Sequence, residues 1–227
     1  MQIIEIFKSL QGESSYAGLP CVFVRLAGCN LRCVWCDSEY TFKGGSRMSL
    51  DEVMLEVRRL SPQGGLVEIT GGEPLLQERE AVPLMERLID AGYKVLLETS
   101  GERPLDRVPP EVVKIVDVKC PDSGEGETFR VENLEFLTSR DELKFVIADR
   151  RDYEFARGFL QEHNLSEGVG GVILSPAFRK DATGSRDVSH CLLDPQLLAE
   201  WMLADGLDAR LGLQIHKFIW DPALKGV

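Results

Sequence analysis

Short apolar segments and stretches of helical periodicity alternate along the chain from Pro20 onward. The β-like segments cover 21–27, 66–70 and 93–98, and helical patterns lie between them at 50–60 and 78–91. Ser49 and Glu52 form a capping box, which marks the start of the first helix because each side chain can satisfy a free backbone amide. This alternation is typical of βα units that build a parallel sheet.

The rest of the chain continues the same pattern. Further strands are predicted at 113–118, 143–147, 172–175 and 211–215, and further helices at 153–163 and 195–204. With 227 residues, the chain is shorter than the ~250 residues typical of a complete eightfold barrel. We therefore predict an α/β fold, an incomplete (βα)6-type TIM-like barrel, with one domain over 1–227. The polar, glycine-containing segments 121–140 and 178–188 are predicted to be surface loops or lids.

Charge and hydropathy exclude several classes of function. The chain has 37 acidic and 26 basic residues, for a formal net charge of −11, and no basic stripe that could follow a phosphate backbone. We therefore expect no bulk nucleic-acid binding. The sequence also has no stretch of about 20 apolar residues and no signal-peptide pattern, so we expect a cytoplasmic protein that does not contact a membrane. In that compartment its 6 cysteines are not expected to form disulfides, and the clustering of three of them favours ligation of a metal or cluster.

Three cysteines, Cys29, Cys33 and Cys36, follow the first core strand within one short loop. A structural zinc site uses four ligands, so zinc would need completion by Asp37 or by a distant histidine. An iron–sulfur cube bound by three cysteines leaves one iron free to bind a substrate or cosubstrate. The spacing of this cysteine triplet favours the cluster over zinc.

The cysteine triplet and the segment Thr70-Gly71-Gly72-Glu73-Pro74 together resemble the radical S-adenosylmethionine (radical SAM) enzymes. The resemblance implies a radical SAM barrel and a [4Fe–4S] cluster on the three cysteines. In that superfamily the open iron chelates S-adenosylmethionine, and the cofactor supplies the difficult chemistry. Glycines let the backbone approach the cofactor, and a carboxylate can receive its ammonium group. The positions carried over for S-adenosylmethionine are Gly72, Glu73, Ser100, Lys119 and Ser175.

Further motifs resemble the 7-carboxy-7-deazaguanine synthase family: Gln11-Gly12-Glu13, Cys36-Asp37-Ser38, Arg25 near the end of the first core strand, and His216-Lys217-Phe218. The resemblance implies a carbon–nitrogen lyase that contracts the ring of 6-carboxy-5,6,7,8-tetrahydropterin to 7-carboxy-7-deazaguanine and releases ammonia, on the route to queuosine and other 7-deazapurines. It also implies Mg²⁺, a homodimer, and a reducing protein such as flavodoxin or ferredoxin.

The chemistry of these side chains suits a pterin. A pterin shows an N–H and an amino group side by side, so the Glu13 carboxylate can accept both. Arg25 and His216 can donate to the substrate's carboxylate and carbonyl, and Ser38, where the family usually has threonine, can offer a hard oxygen to Mg²⁺. The predicted substrate-binding residues are Gln11, Gly12, Glu13, Arg25, Thr70 and His216.

Two alternatives to this function stay open at this point. A radical SAM activase that installs a glycyl radical on a partner protein would share the cysteine triplet and the GGEP segment. An electron-transfer or zinc-stabilised module would need neither GGEP nor a barrel. Lys119 can also pair with Asp117, Ser175 can belong to a turn, and residues 219–227 extend beyond the point where the family often ends.

Overall fold

Nine strands form one sheet in the part of the chain that the computed structural model describes, residues 1–165 and 168–227. In sheet order they are β3 (Ser46–Arg47), β1 (Gln2–Leu10), β2 (Pro20–Leu26), β4 (Leu66–Gly71), β5 (Lys94–Thr99), β6 (Val113–Asp117), β7 (Glu142–Ile147), β8 (Gly171–Pro176) and β9 (Arg210–Leu211). All neighbours from β2 to β9 are parallel, and β1 is antiparallel to both β2 and β3. The edge strands β3 and β9 do not pair with each other in the described chain, so the predicted incomplete barrel is confirmed.

Helices cover the outside of this sheet. They are α1 (Leu50–Leu60), α2 (Glu78–Asp90), α3 (Arg150–Glu162), α4 (Pro195–Asp205) and the short α5 (His216–Ile219). The predicted capping box is present at the start of α1, where Glu52 N donates to Ser49 Oγ at 3.3 Å and Ser49 N donates to Glu52 Oε2 at 2.7 Å. Such a cap stabilises a helix by about 1 kcal/mol.

Alternate residues of each parallel strand face the helices or the barrel interior. On β4, Val67 and Ile69 belong to the large core under the helices, whereas Leu66 belongs to a smaller interior core with Phe23 and Leu96. Because both faces are buried, these strands read as apolar runs. The interior residues nearer the carboxyl ends of the strands are polar, which leaves a polar floor for a site at that end.

The remaining expectations are confirmed in part. The segments 121–140 and 178–188 are loops with short 3₁₀ turns, Pro121–Ser123, Val131–Phe136 and Val188–His190. The strand expected over 211–215 is instead the two-residue β9, which ends at Leu211. Gly212 then packs closely on β8, where a Cβ would be 2.6 Å from Ile173 Cγ2 and from Ser175 Oγ. Strand β1 was not predicted, although it pairs with β2 over most of its length. Among the described residues, no helix is both long and apolar enough to cross a bilayer.

Candidate active site

A cavity of about 410 Å³ lies at the carboxyl ends of the parallel strands. Its wall includes Arg25 of β2, Thr70 of β4, Glu98 of β5, Asp117 of β6 and Lys144 of β7. Barrel enzymes carry their active sites at this end of the sheet. The volume is within the range of small-molecule sites, roughly 300–1,000 Å³.

The cysteine triplet lies on one wall of this cavity, in the loop that follows β2. Cys29, Cys33 and Cys36 all line the cavity as free thiols, and burial raises the pKa of each of them. The loop is held mainly through its backbone, since Val34 N donates to Ser123 O at 3.0 Å. The three thiols therefore face the cavity as a set of soft donors, the type that binds iron–sulfur clusters.

The spacing of the sulfur atoms argues against zinc. Three sulfurs on one tetrahedral zinc would lie roughly 3.8 Å apart, given Zn–S distances of about 2.3 Å. In the described chain, the group whose ligand atoms all lie within 4.8 Å of one another is Asp122, Asp149 and Asp152, which is not part of the cavity wall. The three sulfur atoms therefore do not all lie within 4.8 Å of one another, a wider spacing than one tetrahedral zinc needs.

Glu73 connects the turn after β4 to the end of β5. Its carboxylate accepts hydrogen bonds from Thr99 Oγ1 at 2.9 Å, from Ser100 N at 2.9 Å, from Ser100 Oγ at 2.8 Å and from Leu75 N at 2.9 Å. Glu73 is 1% exposed and does not line the cavity, and burial raises its pKa. The carboxylate is thus used within the protein, and its contact with the cofactor stays a prediction. Glu73 positions Ser100, which does line the cavity.

Gly72 lets the turn after β4 pack against the start of the cysteine loop. A Cβ atom at Gly72 would lie 2.3 Å from Gly28 O and 2.6 Å from Cys29 Cβ. Any side chain there would displace the first cysteine of the triplet. Gly72 itself lines the cavity, so its backbone is available to a ligand beside the cysteines.

Lys119 and Ser175 differ in their surroundings. Lys119 lines the cavity, and its Nζ donates to Asp117 Oδ2 at 2.7 Å. Ser175 is 1% exposed and does not line the cavity. In the described chain, neither Ser175 Oγ nor Asp117 Oδ1 has a hydrogen-bond partner, although both are buried. Buried polar atoms are normally paired, so these two atoms suit a polar ligand.

Gln11 shapes the loop between β1 and β2. Its Oε1 accepts hydrogen bonds from Glu13 N and Ser14 N, both at 2.9 Å, and its Nε2 donates to Glu68 Oε2 at 3.2 Å. Gln11 is 2% exposed, although it borders the cavity. Most of its amide is used within the protein, so its main effect is to fix the loop that carries Glu13.

The carboxylate of Glu13 lies among donor groups. Lys144 Nζ donates to its Oε2, and Gln214 Nε2 donates to its Oε1 at 2.9 Å. Burial raises the pKa of Glu13, but the positive charges around it, Lys144 first and then His216 and Lys217, together outweigh burial, and the pKa falls to about 2. Glu13 is therefore ionised at neutral pH. A carboxylate has about four acceptor positions, so Glu13 can still accept from a ligand.

His216 and Arg25 face the cavity from two further directions. His216 begins α5 and packs on Gly12, where a Cβ would lie 2.3 Å from His216 Nδ1. Burial lowers the pKa of His216, so the neutral ring offers one donor. Arg25 Nε donates to Glu5 Oε1 at 2.9 Å, and the same oxygen accepts from Tyr40 Oη at 2.8 Å. These contacts leave the terminal guanidinium nitrogens of Arg25 for an anion.

Ser38 lies next to the triplet and lines the cavity. Its hydroxyl donates to Asp37 Oδ1 at 2.8 Å, and Asp37 Oδ2 lies 2.6 Å from Lys217 Nζ. Burial raises the pKa of Asp37, but the charge and hydrogen bond of Lys217, together with the Ser38 hydroxyl and His216, hold that pKa well below its usual range. Because Ser38 donates its hydrogen to Asp37, its oxygen lone pairs are available to a hard cation.

Charged residues inside the strands were missed by the sequence analysis. Thr70 Oγ1 donates to Glu98 Oε2 at 3.4 Å, and Glu98 Oε1 accepts from Lys144 Nζ at 2.7 Å. Lys144 and Glu68 were not singled out as site residues. A charged residue within an otherwise apolar strand was the sequence signal that could have found them. Such residues are almost never buried unless they are paired, so the charge indicates a partner in the interior. Residues 222–227 also line the cavity, so the C-terminal extension reaches the site.

Comparisons with known proteins agree with this geometry. The model of the Radical SAM superfamily matches residues 24–117. The chain is 71% identical over 227 residues to a 7-carboxy-7-deazaguanine synthase of Koribacter versatilis, with 100% of both chains covered. It is 43% identical to one of Chlorobaculum tepidum, with 100% of this chain and 97% of the relative covered. The crystal structure of QueE from Escherichia coli shares its fold, with a TM-score of 0.72, 24% identity and 93% coverage of each chain.

The barrel, the cysteine triplet at its carboxyl end and the superfamily match define the chain as a radical SAM enzyme, a class that uses a [4Fe–4S] cluster and S-adenosylmethionine. Within that class, full-length identity to curated relatives shows that the chain belongs to the 7-carboxy-7-deazaguanine synthase family. This membership supports the synthase and not the activase alternative.

Proposed function

We propose that the chain converts 6-carboxy-5,6,7,8-tetrahydropterin to 7-carboxy-7-deazaguanine, with release of ammonia, in queuosine and 7-deazapurine biosynthesis. One observation carries the proposal. A buried lysine, Lys144, bonds two carboxylates, Glu13 and Glu98, and all three line the cavity that the cysteine triplet also lines. Carboxylates that face a cavity suit the adjacent N–H and amino groups of a pterin.

Each substrate-binding residue has its own role. Glu13 accepts from the N–H and amino groups of the pterin, and Thr70 lies close to that edge through its hydrogen bond to Glu98. Arg25 binds the substrate carboxylate through its terminal nitrogens, and His216 donates to the ring carbonyl. Gly12 gives His216 room, and Gln11 holds the loop in place.

The cofactors bind at the wall of the cavity that carries the cysteine triplet. Cys29, Cys33 and Cys36 hold the [4Fe–4S] cluster. The S-adenosylmethionine site consists of Gly72, Glu73, Ser100, Lys119 and Ser175, and Glu73 holds Ser100 in place within it. When bound, these cofactors supply the hydrogen-atom abstraction that starts the reaction. The protein keeps the substrate's C6 facing the cofactors and limits the access of water.

Mg²⁺ is held by Ser38, with the substrate carboxylate and waters as its other ligands. Mg²⁺ usually keeps several waters and needs few protein oxygens. Asp37 lies behind the hydroxyl of Ser38 and adds negative charge close to the ion.

The wider setting follows from the family. We propose a cytoplasmic homodimer that receives electrons from a flavodoxin or ferredoxin. The radical SAM domain spans 1–227, and one sheet running from Gln2 to Leu211 supports this boundary.

The test is anaerobic incubation of the reconstituted protein with reductant, S-adenosylmethionine, Mg²⁺ and the tetrahydropterin. We expect mass spectrometry to detect 7-carboxy-7-deazaguanine, and its formation to need every component. If 5′-deoxyadenosine forms without this product, radical chemistry stands and the assigned substrate is wrong. A stoichiometric zinc content without sulfide would contradict both the cluster and the reaction.

A further inference from the structure

Lys144 lies at the centre of the polar floor of the cavity. Its side chain is 3% exposed, and its Nζ donates to Glu13 and, at 2.7 Å, to Glu98 Oε1. Asp117 Oδ2 lies 3.9 Å away. These acids come from the β1–β2 loop, from β5 and from β6, so one ammonium group joins three separate parts of the barrel.

The same strand also holds the β1–β2 loop at a second point. Glu142, two residues before Lys144 on β7, accepts hydrogen bonds from Ser15 N at 3.1 Å and from Ser15 Oγ. Two successive inward-facing residues of β7, Glu142 and Lys144, therefore hydrogen-bond to the loop on either side of Ser14. Glu13 is placed by this strand as much as by its own loop.

We propose that Lys144 is the positioning residue for pterin recognition, holding the carboxylates of Glu13 and Glu98 at a fixed separation so that both accept from the substrate. This inference rests on the proposed function for the identity of the ligand. Its effect on Glu13 needs no ligand.

Electrostatics gives the reason. Two buried carboxylates that face each other disfavour double ionisation, and one of them takes up a proton unless a cation intervenes. Glu68 shows the outcome where no ammonium touches the carboxyl. Burial, and then the negative charge of Glu98, raise the pKa of Glu68 well above its usual value. Glu13, in contact with Lys144, instead has a pKa of about 2.

The groups that face Glu13 come from every element around it. They are Lys144 of β7, Glu68 of β4, Asp37 of the cysteine loop, and Gln214, His216 and Lys217 near the C-terminus. Glu98 of β5 and Asp117 of β6 lie against Lys144. Among them, Lys144 makes the closest cationic contact with Glu13. Its removal leaves mainly negative neighbours on the sheet side, so the pKa of Glu13 rises.

The experiment compares the wild-type holoenzyme with Lys144→Met and Lys144→Arg, using fluorescent pterin-6-carboxylate as the probe. For the wild type, we expect an affinity that changes little between pH 8 and pH 5.5, because Glu13 stays ionised. For Lys144→Met we expect about 10- to 100-fold weaker binding at neutral pH, from the loss of charge-assisted hydrogen bonding. Affinity should fall further as the pH falls through the raised pKa of Glu13. Lys144→Arg should recover the flat pH profile.

Lys114→Met is the matched control. Lys114 on β6 is 2% exposed and pairs with Asp141 at 3.0 Å, but it lies outside the cavity wall. We expect this variant to lose thermal stability and to keep wild-type affinity. Wild-type affinity and a flat pH profile in Lys144→Met would overturn the proposal.

Carboxyl NMR of Glu13 gives a readout without ligand. We expect its pKa to be higher in Lys144→Met than in wild type, and an unchanged value would overturn the proposal even if the pterin proved not to be the substrate. If Lys144→Met does not fold, Lys144→Arg carries the measurement. A flat profile and a low Glu13 pKa in that variant support the charge role, and a raised pKa contradicts it. Absence of product from the wild type would contradict the proposed function alone.

Discussion

The two walls of the cavity are built in different ways. The acidic wall, formed by Glu13, Glu98 and Lys144, consists of side chains that already contact one another, and two of the three belong to strands. The cysteine loop presents three thiols from a segment without strand or α-helix, held through contacts such as Val34 N to Ser123 O. The protein fixes substrate recognition by itself, and it leaves the cysteine loop to be completed by the cofactors.

This difference has a physical cause. Charged groups in a barrel interior must be paired there, because an unpaired buried charge is costly. The acidic wall is therefore part of the folded barrel. Thiols are weakly polar and tolerate burial without partners, so the cysteine loop needs no internal pairing to fold. We therefore expect mutations in the acidic wall to change the affinity for substrate, and mutations in the cysteine loop to cause loss of the cofactor.

The largest effect is expected on the cysteine loop. Cys33→Ala removes one of three cluster ligands, and two thiolates cannot keep a cube that three hold with one iron open. We expect iron and sulfide contents to fall together and product formation to drop below detection, while the melting temperature of the protein without cluster changes little.

Cys21→Ala is the control for that experiment. Cys21 is a buried interior residue, 1% exposed, with no place in the cavity wall. We expect it to keep its iron and its activity. Normal iron content in Cys33→Ala would remove Cys33 from the cluster.

The next largest effect is expected on the acidic wall. Glu13→Gln replaces an ionised acceptor with an amide that can accept at one atom only, and charge-assisted hydrogen bonds are worth about 1.5–3 kcal/mol. We expect pterin affinity to fall about 10- to 100-fold, with an unchanged iron content, measured by fluorescence titration. Glu78→Gln, which opens a surface ion pair with Arg107, should leave the affinity unchanged. Equal affinity for Glu13→Gln and wild type would refute the assignment of Glu13.

A smaller effect is expected where the acidic wall meets α5. Gly12→Ala places a Cβ 2.3 Å from His216 Nδ1, so the imidazole must move. Overpacking of this kind costs about 1–3 kcal/mol. We expect KM for the pterin to rise about tenfold and the cluster absorbance to stay the same. Gly184→Ala, where no atom lies within 4 Å of the added Cβ, is the control, and it tests backbone strain without a clash. A wild-type KM in Gly12→Ala would show that His216 does not contact the substrate.

The sequence predicted the cysteine loop better than the acidic wall. Three cysteines in one short segment are a local pattern, and the GGEP segment follows a strand that is legible as an apolar run. Local patterns of the same kind predicted the parallel strands, α1 with its capping box, and the two loops. Strand β1 was missed, because it lies outside the βα repeat and joins the sheet by antiparallel pairing with β2 and β3.

Lys144 shows why the rest of the site escaped prediction. Its partner Glu13 lies 131 positions earlier in the chain, and no local pattern encodes that pairing. Glu73 is a second case, since its motif predicted a ligand contact, but no local pattern indicated that its carboxylate accepts hydrogen bonds from Thr99 and Ser100 at the end of β5. Pairings between distant segments depend on how the strands are arranged around the barrel, and a single sequence does not show this arrangement.

The smallest effect is expected at Ser38, where the two walls meet. Ser38→Ala removes one oxygen ligand and frees Asp37 Oδ1 from its hydrogen bond with Ser38, but substrate carboxylate and waters can still hold Mg²⁺. One neutral contact is worth about 0.5–1.5 kcal/mol, so the half-saturating Mg²⁺ concentration should rise about 2- to 10-fold at constant iron content. Ser38→Thr keeps the hydroxyl and should restore the wild-type value. An unchanged Mg²⁺ dependence in Ser38→Ala would remove Ser38 from the ion, and would leave the cysteine loop with the cluster alone.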